Sequence, residues 1–190
     1  MYPRILALNK PKIISLTQFA ILLGISVVAP LFHFQPITGP IVNACLFIAT
    51  AILDVQAGIM LGLLPSLIAL SAGTLPAPLA PMIPFIMVSN TIMVVAFSAI
   101  FARKGTKLLF EKELGSFHSP SFSLAVISAS ILKFLFLFPT SYIVIHLISQ
   151  KPIAQKAATM MSWPQLATAL LGGLIAFIFL KLTFGSEKVK

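Results

Sequence analysis

Six apolar stretches follow one another along the chain with only short polar breaks, at about 13–34, 37–53, 55–72, 82–102, 122–149 and 164–182. A helix needs about 20 apolar residues to cross a bilayer, and each stretch meets or approaches that length. Strands of a membrane barrel would alternate apolar and polar residues, whereas these runs are continuous. Composition leads to the same conclusion. Charged residues make up only 9% of the chain, against roughly a quarter in a soluble domain, so water alone could not hydrate this surface. The expected fold is an all-α integral membrane protein, a six-transmembrane-helix bundle forming one membrane domain over 1–190, in contact with membrane lipid and with both termini cytoplasmic.

The second and third spans require an argument. Ile41 to Ser71 read as one helix would measure roughly 46 Å at 1.5 Å per residue, too long for a hydrocarbon core about 30 Å thick. It would also hold Asp54 near its middle. Splitting the run at Asp54 gives two short spans and makes Asp54 the cap of the third helix. Basic residues support the split. Six spans place Arg4, Lys10, Lys12, Arg103, Lys104, Lys107, Lys112, Lys181, Lys188 and Lys190 inside and only Lys151 and Lys156 outside, as the positive-inside rule requires. After Cys45 is replaced, a cysteine at Lys107 should resist an impermeant thiol reagent in intact cells, and one at Lys156 should react. Labelling of position 107 from outside would overturn the six-span topology.

The net charge of +9 is thereby accounted for by cytoplasmic loops, and no nucleic-acid partner is expected. The basic Met1–Lys12 segment leads into an apolar run longer than a signal-peptide core, which reads as a retained first span. Cys45 is the single cysteine, so an intrachain disulfide is impossible. Pro30, Pro36, Pro40, Pro76, Pro78, Pro81, Pro84, Pro152 and Pro164 gather at the outer ends of the spans. Proline fixes φ and removes a donor, so Thr74–Pro84 should be a stiff apolar connection, either a plain helix ending or a cover over the bundle. Small residues four apart recur at Ala20/Gly24, Gly58/Gly62, Ala125/Ala129 and Ala169/Gly173, a spacing that lets helix backbones approach closely.

No phosphate-binding G-x-x-x-x-G-K-[ST] loop, H-E-x-x-H pair or Cys/His cluster is present. The acids are Asp54, Glu111, Glu113 and Glu187, all at cytoplasmic ends. Paired intramembrane carboxylates for proton coupling or proteolysis are therefore lacking. The chain is expected to be no enzyme and to carry no metal or cofactor.

What remains is uncharged polar groups and one lysine. Lys133 lies mid-span, where an ionisable residue costs about 2.5–3.5 kcal/mol on insertion scales. Ser130, Lys133 and Thr140 share one face of a 3.6-residue helix. Lys133 either neutralises an anionic group of a ligand or reaches toward the cytoplasm in a structural contact. Asn43 and Asn90 each lie about two turns in from the outer end of their span, and each either binds a ligand or joins two helices. Gln35, Trp163 and Gln165 flank the outer loops; Trp163 also suits an interface anchor. His33 and His146 read as surface groups. Collectively, the uncharged polar candidates gather in the outer half.

Ile37–Asn43, Gln56–Pro65, the proline-rich connection and Pro84–Asn90, set within six spans and about 190 residues, resemble the substrate-binding S components of energy-coupling factor (ECF) transporters. The resemblance implies a substrate-capture subunit of an ATP-driven importer for a vitamin or other small micronutrient, in a prokaryotic plasma membrane. Its partners would be a membrane-embedded T component and two ATPase subunits. In that family a small-x-x-x-small pattern on the first helix docks on the T component, and Ala20/Gly24 is the matching pair, with Val28 where a third small residue would stand. The resemblance implies a ligand near the outer face, under the loops joining helices one–two and three–four. Because polar groups in a bilayer need partners, Asn43, Asn90, Lys133 and Thr140 are expected in contact with it and Gln35, Trp163 and Gln165 behind them. The alternative is a noncatalytic scaffold or assembly subunit of a membrane complex, or another small transporter subunit.

Overall fold

The computed structural model describes residues 10–32, 34–73, 77–103, 120–147, 155 and 159–184. Lys107, Lys151, Lys156 and the basic stretch after Arg103 lie outside the described residues, as do His33 and 74–76. Among the described residues the chain is an all-α bundle of six apolar helices: α1 (Lys10–Val28), α2 (Gln35–Ile52), α3 (Val55–Ser71), α4 (Ile83–Arg103), α5 (Pro120–Leu147) and α6 (Trp163–Phe184). Tight 3₁₀ turns at Ala29–Phe32 and Ala77–Met82 precede α2 and α4. Four helical stretches have the length and hydropathy of full spans, while the helices from Pro36 to Ile52 and from Val55 to Ser71 are shorter.

The break between α2 and α3 falls at the acid. Asp54 is extended (φ −170°, ψ 179°), and its carboxylate accepts the backbone N–H of Ala57 at 2.6 Å. That bond satisfies one of the donors a helix start leaves orphaned, a contribution of about 1 kcal/mol, and the negative charge also suits the positive end of the helix dipole. At its other end α3 closes on Gly73, whose φ of +65° is a conformation that glycine adopts without a Cβ clash. The first apolar stretch runs from Lys12 to Phe32. It passes from α to 3₁₀ geometry after Val28, because Pro30 supplies no N–H and disfavours the α region in the residue before it.

On α6 large side chains face outward and mostly small ones inward. On α6 the buried residues are Gln165, Thr168, Ala169, Gly172, Gly173, Ala176 and Leu180, one stripe at helical spacing. Leu171, Leu174, Ile178 and Leu182 are exposed, as lipid contact requires. The small stripe lets α6 press closely on its neighbours. A Cβ on Gly39 of α2 would stand 2.8 Å from Thr168 Cβ, and one on Gly173 would collide with Val126 of α5.

The interior is divided in two along the helix axes. One part is a large aromatic core in which Phe47, Phe97, Phe101, Phe122 and Phe177 pack with successive ring centroids 5.0–5.8 Å apart. The other is a small cluster of Met82, Leu137, Val144 and Met161 at the end of the bundle that carries Ala77–Met82 and the start of α6. By the positive-inside expectation this second end faces outward. Asn43, Asn90 and Lys133 sit between the two parts. Leu46, Met93 and Ala129, one turn inward of them, belong to the aromatic core, and Leu137, one turn outward of Lys133, belongs to the small cluster.

Candidate functional site

Lys133, on α5, is 3% exposed, and its ammonium donates to Asn43 Oδ1 of α2 at 2.7 Å and to Asn90 Oδ1 of α4 at 2.8 Å. Asn90 Nδ2 in turn donates to the Gly62 carbonyl of α3 at 3.2 Å. Three residues expected at a ligand site, from three different spans, thus meet at one level of the bundle and join four helices there.

Glycines fix the backbone that carries these amides. A Cβ added to Gly172 of α6 would stand 2.6 Å from Asn43 Cβ and 2.9 Å from both the Ala44 nitrogen and the Pro40 oxygen. A Cβ on Gly62 would lie 3.1 Å from Asn90 Cβ. Each asparagine is therefore pressed against a glycine of another helix, with no room for a Cβ at Gly172 and little at Gly62. The Gly62 spacing is visible in the sequence. Gly172 was detectable only as a member of the stripe Gln165, Thr168, Ala169, Gly172 and Ala176, once the buried face of α6 is known.

Electrostatically the cluster is incomplete. Lys133 is the buried charged residue among those described, and Asp54, the described acid, caps α3 eleven positions along the chain from Asn43. Two neutral carbonyl dipoles, without a carboxylate, hold the cation. Taking an ammonium out of water costs several kcal/mol that only a counter-charge and full hydrogen bonding offset, and a lysine has three donors, of which the asparagines engage two. One turn away on α5, the fully buried Ser130 Oγ has no hydrogen-bond partner among the described residues. Lys133 thus keeps a spare donor and Ser130, one turn inward on α5, a spare hydroxyl.

The remaining candidates lie elsewhere. Thr140 is half-buried and its hydroxyl donates to the Phe136 carbonyl of its own helix at 2.6 Å. The polar stripe expected from Ser130 through Thr140 is interrupted by Leu137, which is fully buried between them. Gln165 is buried, and its amide donates to the Met160 carbonyl at 3.1 Å and contacts Met161 Sδ at 3.8 Å, clamping the segment that leads into α6. Trp163 is 70% exposed and lines a surface cleft of about 280 Å³ with Pro36, Met160 and Thr168. Gln35 opens α2, but the side chains of Gln35 and His146 lie outside the described residues.

On α1, Ala20 and Gly24 face away from the bundle, and a Cβ on Gly24 would meet nothing within 4 Å. Beside Gly24 a cleft of about 380 Å³ opens between Ile21, Ile25, Val28, Phe32 and Ile41. The two clefts described lie on the bundle surface and are lined by other residues than Lys133 and its asparagines.

Compared with known proteins, residues 15–183 match a family model described as "ECF transporter, substrate-specific component". No curated protein and no solved structure matches the chain.

Proposed function

This chain belongs to the substrate-specific components of ECF transporters, and from that premise we propose that it captures a vitamin or other small micronutrient at the outer face of a prokaryotic cell membrane for ATP-driven import. Membership makes it a substrate-specific transporter subunit rather than an enzyme, in a family whose members work with T and ATPase components. The observation that carries the finer reading is the buried Lys133, bonded to Asn43 and Asn90 and lacking a carboxylate partner among the described residues. In this reading an acidic group of the substrate supplies the missing counter-charge. Asn43 and Asn90 give hydrogen bonds, and Thr140, outward of Lys133 on α5, lies on the path from outside. The single membrane domain of 1–190 then reorients against the T component and releases its cargo inward, powered by two ATPase subunits.

Mass spectrometry of the gently purified protein tests this directly. A small acidic molecule should be retained by the wild type and absent from the Lys133→Met variant. Retention of a molecule without an acidic group, or equal retention by both proteins, would sink the reading.

Docking is tested separately. Ala20 and Gly24 form the small outward face of α1, and close helix approach depends on such residues. Ala20→Leu and Gly24→Leu should therefore keep ligand affinity within about twofold of wild type, abolish co-purification with the T component, and abolish uptake. Normal assembly of both variants would remove α1 as the docking helix.

A further inference from the structure

The two halves of the interior differ in a way that bears on what kind of molecule fits the site. We infer that the substrate is an amphipathic monoanion whose acidic group meets Lys133 and Ser130 and whose apolar body takes the place of Met82 and Met161. This inference rests on the proposed role of Lys133 and adds the character of the rest of the molecule.

The charge argument sets the head group. Lys133 is the buried cation among the described residues, so one negative charge is matched there and a second would be left uncompensated in a low-dielectric interior. Ser130 Oγ, fully buried and unpartnered among the described residues, offers a neutral donor to a second oxygen of the same group. A carboxylate satisfies both.

The surroundings outward of Lys133 set the body. Leu137 and Val144 follow it on the same side of α5 and are buried with Met82 and Met161. At 1.5 Å per residue they lie roughly 6 Å and 16 Å outward of Lys133. The hydroxyls in this stretch are already engaged, Thr140 with the Phe136 carbonyl and Ser141 with the Phe138 carbonyl. The Gln165 amide is engaged with Met160. A polyol or sugar placed here would find its hydroxyls unmatched, at the cost of desolvating them, whereas a ring or short aliphatic chain would not.

Construction decides which half yields. The inner core is made of interlocked phenylalanine rings borne on α2, α4, α5 and α6. Met82 ends a 3₁₀ turn, and Met161 precedes α6. Methionine is unbranched and adapts its shape readily, so these two side chains can repack more easily than the phenylalanine rings. The outer cluster is a filling that a ligand body exchanges for itself.

The test uses the full chain in lipid nanodiscs and three matched probes: 4-phenylbutyrate, 4-phenylbutanol and 4-phenylbutylamine. The acid should bind at least tenfold more tightly than the alcohol, and the amine should not bind. Leu137→Trp, which fills the space outward of Lys133, should weaken the acid tenfold or more. Met161→Ala, a milder change, should tighten 6-phenylhexanoate severalfold. Equal affinity for acid and alcohol overturns the inference, as does failure of every acid to bind. So does affinity within twofold of wild type for both variants, and so does affinity that climbs steadily to palmitate, which would mark a membrane lipid as the ligand. If all the acids fail while the molecule retained on purification still depends on Lys133, this inference falls and the proposed function stands.

Discussion

Lys133→Met is expected to leave the ligand-free protein as stable as wild type, or more so, and to weaken substrate binding by about one and a half to three and a half orders of magnitude. The sign of the first effect follows from opposing terms. The substitution removes two charge-assisted hydrogen bonds, to Asn43 and Asn90, each worth about 1.5–3 kcal/mol. It also removes the cost of holding an ammonium in the interior without a counter-charge, itself several kcal/mol. Methionine keeps the length and fills the same volume. With substrate bound the balance changes, because truncating one partner of a buried charge pair costs about 2–5 kcal/mol, and 1.4 kcal/mol is a tenfold change in affinity. Thermal unfolding and ligand titration of the same preparation separate the two. Unchanged affinity would show that Lys133 does not touch the substrate, and parallel loss of stability and affinity would make it a strut between α2, α4 and α5.

Gly172→Ala is expected to be among the most damaging single-methyl additions in the bundle. The new Cβ would stand 2.6 Å from Asn43 Cβ and 2.9 Å from backbone atoms of Ala44 and Pro40. Backbone atoms inside α2 cannot step aside as a side-chain tip can, so α2 and α6 must separate. Overpacking of this kind costs about 1–3 kcal/mol, occasionally more, and this position belongs at the upper end. Because Asn43 moves with α2, the contact with Lys133 should be disturbed as well, lowering both melting temperature and substrate affinity. Gly24→Ala is the matched control, since nothing lies within 4 Å of its added Cβ, and its melting temperature should equal that of wild type. Similar stability of the two alanine variants would show that α2 and α6 are not packed as closely as described.

The spans were legible in the sequence because lipid imposes a length and an apolar content that little else requires. The break at Asp54 was legible for a related reason, since a carboxylate is tolerable there only as a cap, and it caps Ala57. Hydropathy alone does not register that Pro30 turns the outer end of the first span from α to 3₁₀ geometry. In the candidate site, depth brought Asn43, Asn90 and Lys133 to notice, since polar groups in a bilayer need partners. That all three share one set of hydrogen bonds was not legible, because it depends on the relative rotation of α2, α4 and α5. Thr140 and Gln165 show the same limit in reverse. Each has a suitable depth, but a threonine can bond to the carbonyl four residues back, and the Gln165 amide engages the carbonyl of Met160, five residues before it. Helical periodicity does not distinguish such local bonds from contacts across the bundle. Gly172 was missed because its importance lies in the absence of a side chain opposite Asn43.

The brevity of α2 and α3 has a consequence for the membrane itself. At 18 and 17 residues they span about 25–27 Å, less than a typical hydrocarbon core of about 30 Å, whereas α5, at 28 residues, exceeds it. One side of the protein therefore draws the bilayer thin while another lets it stay thick or tilts within it, a mismatch that costs fractions of a kcal/mol per Å. Such a mismatch would favour orientations that bring short and long helices into a common slab, and in the proposed import cycle it would give bilayer thickness a direct hold on the reorientation step.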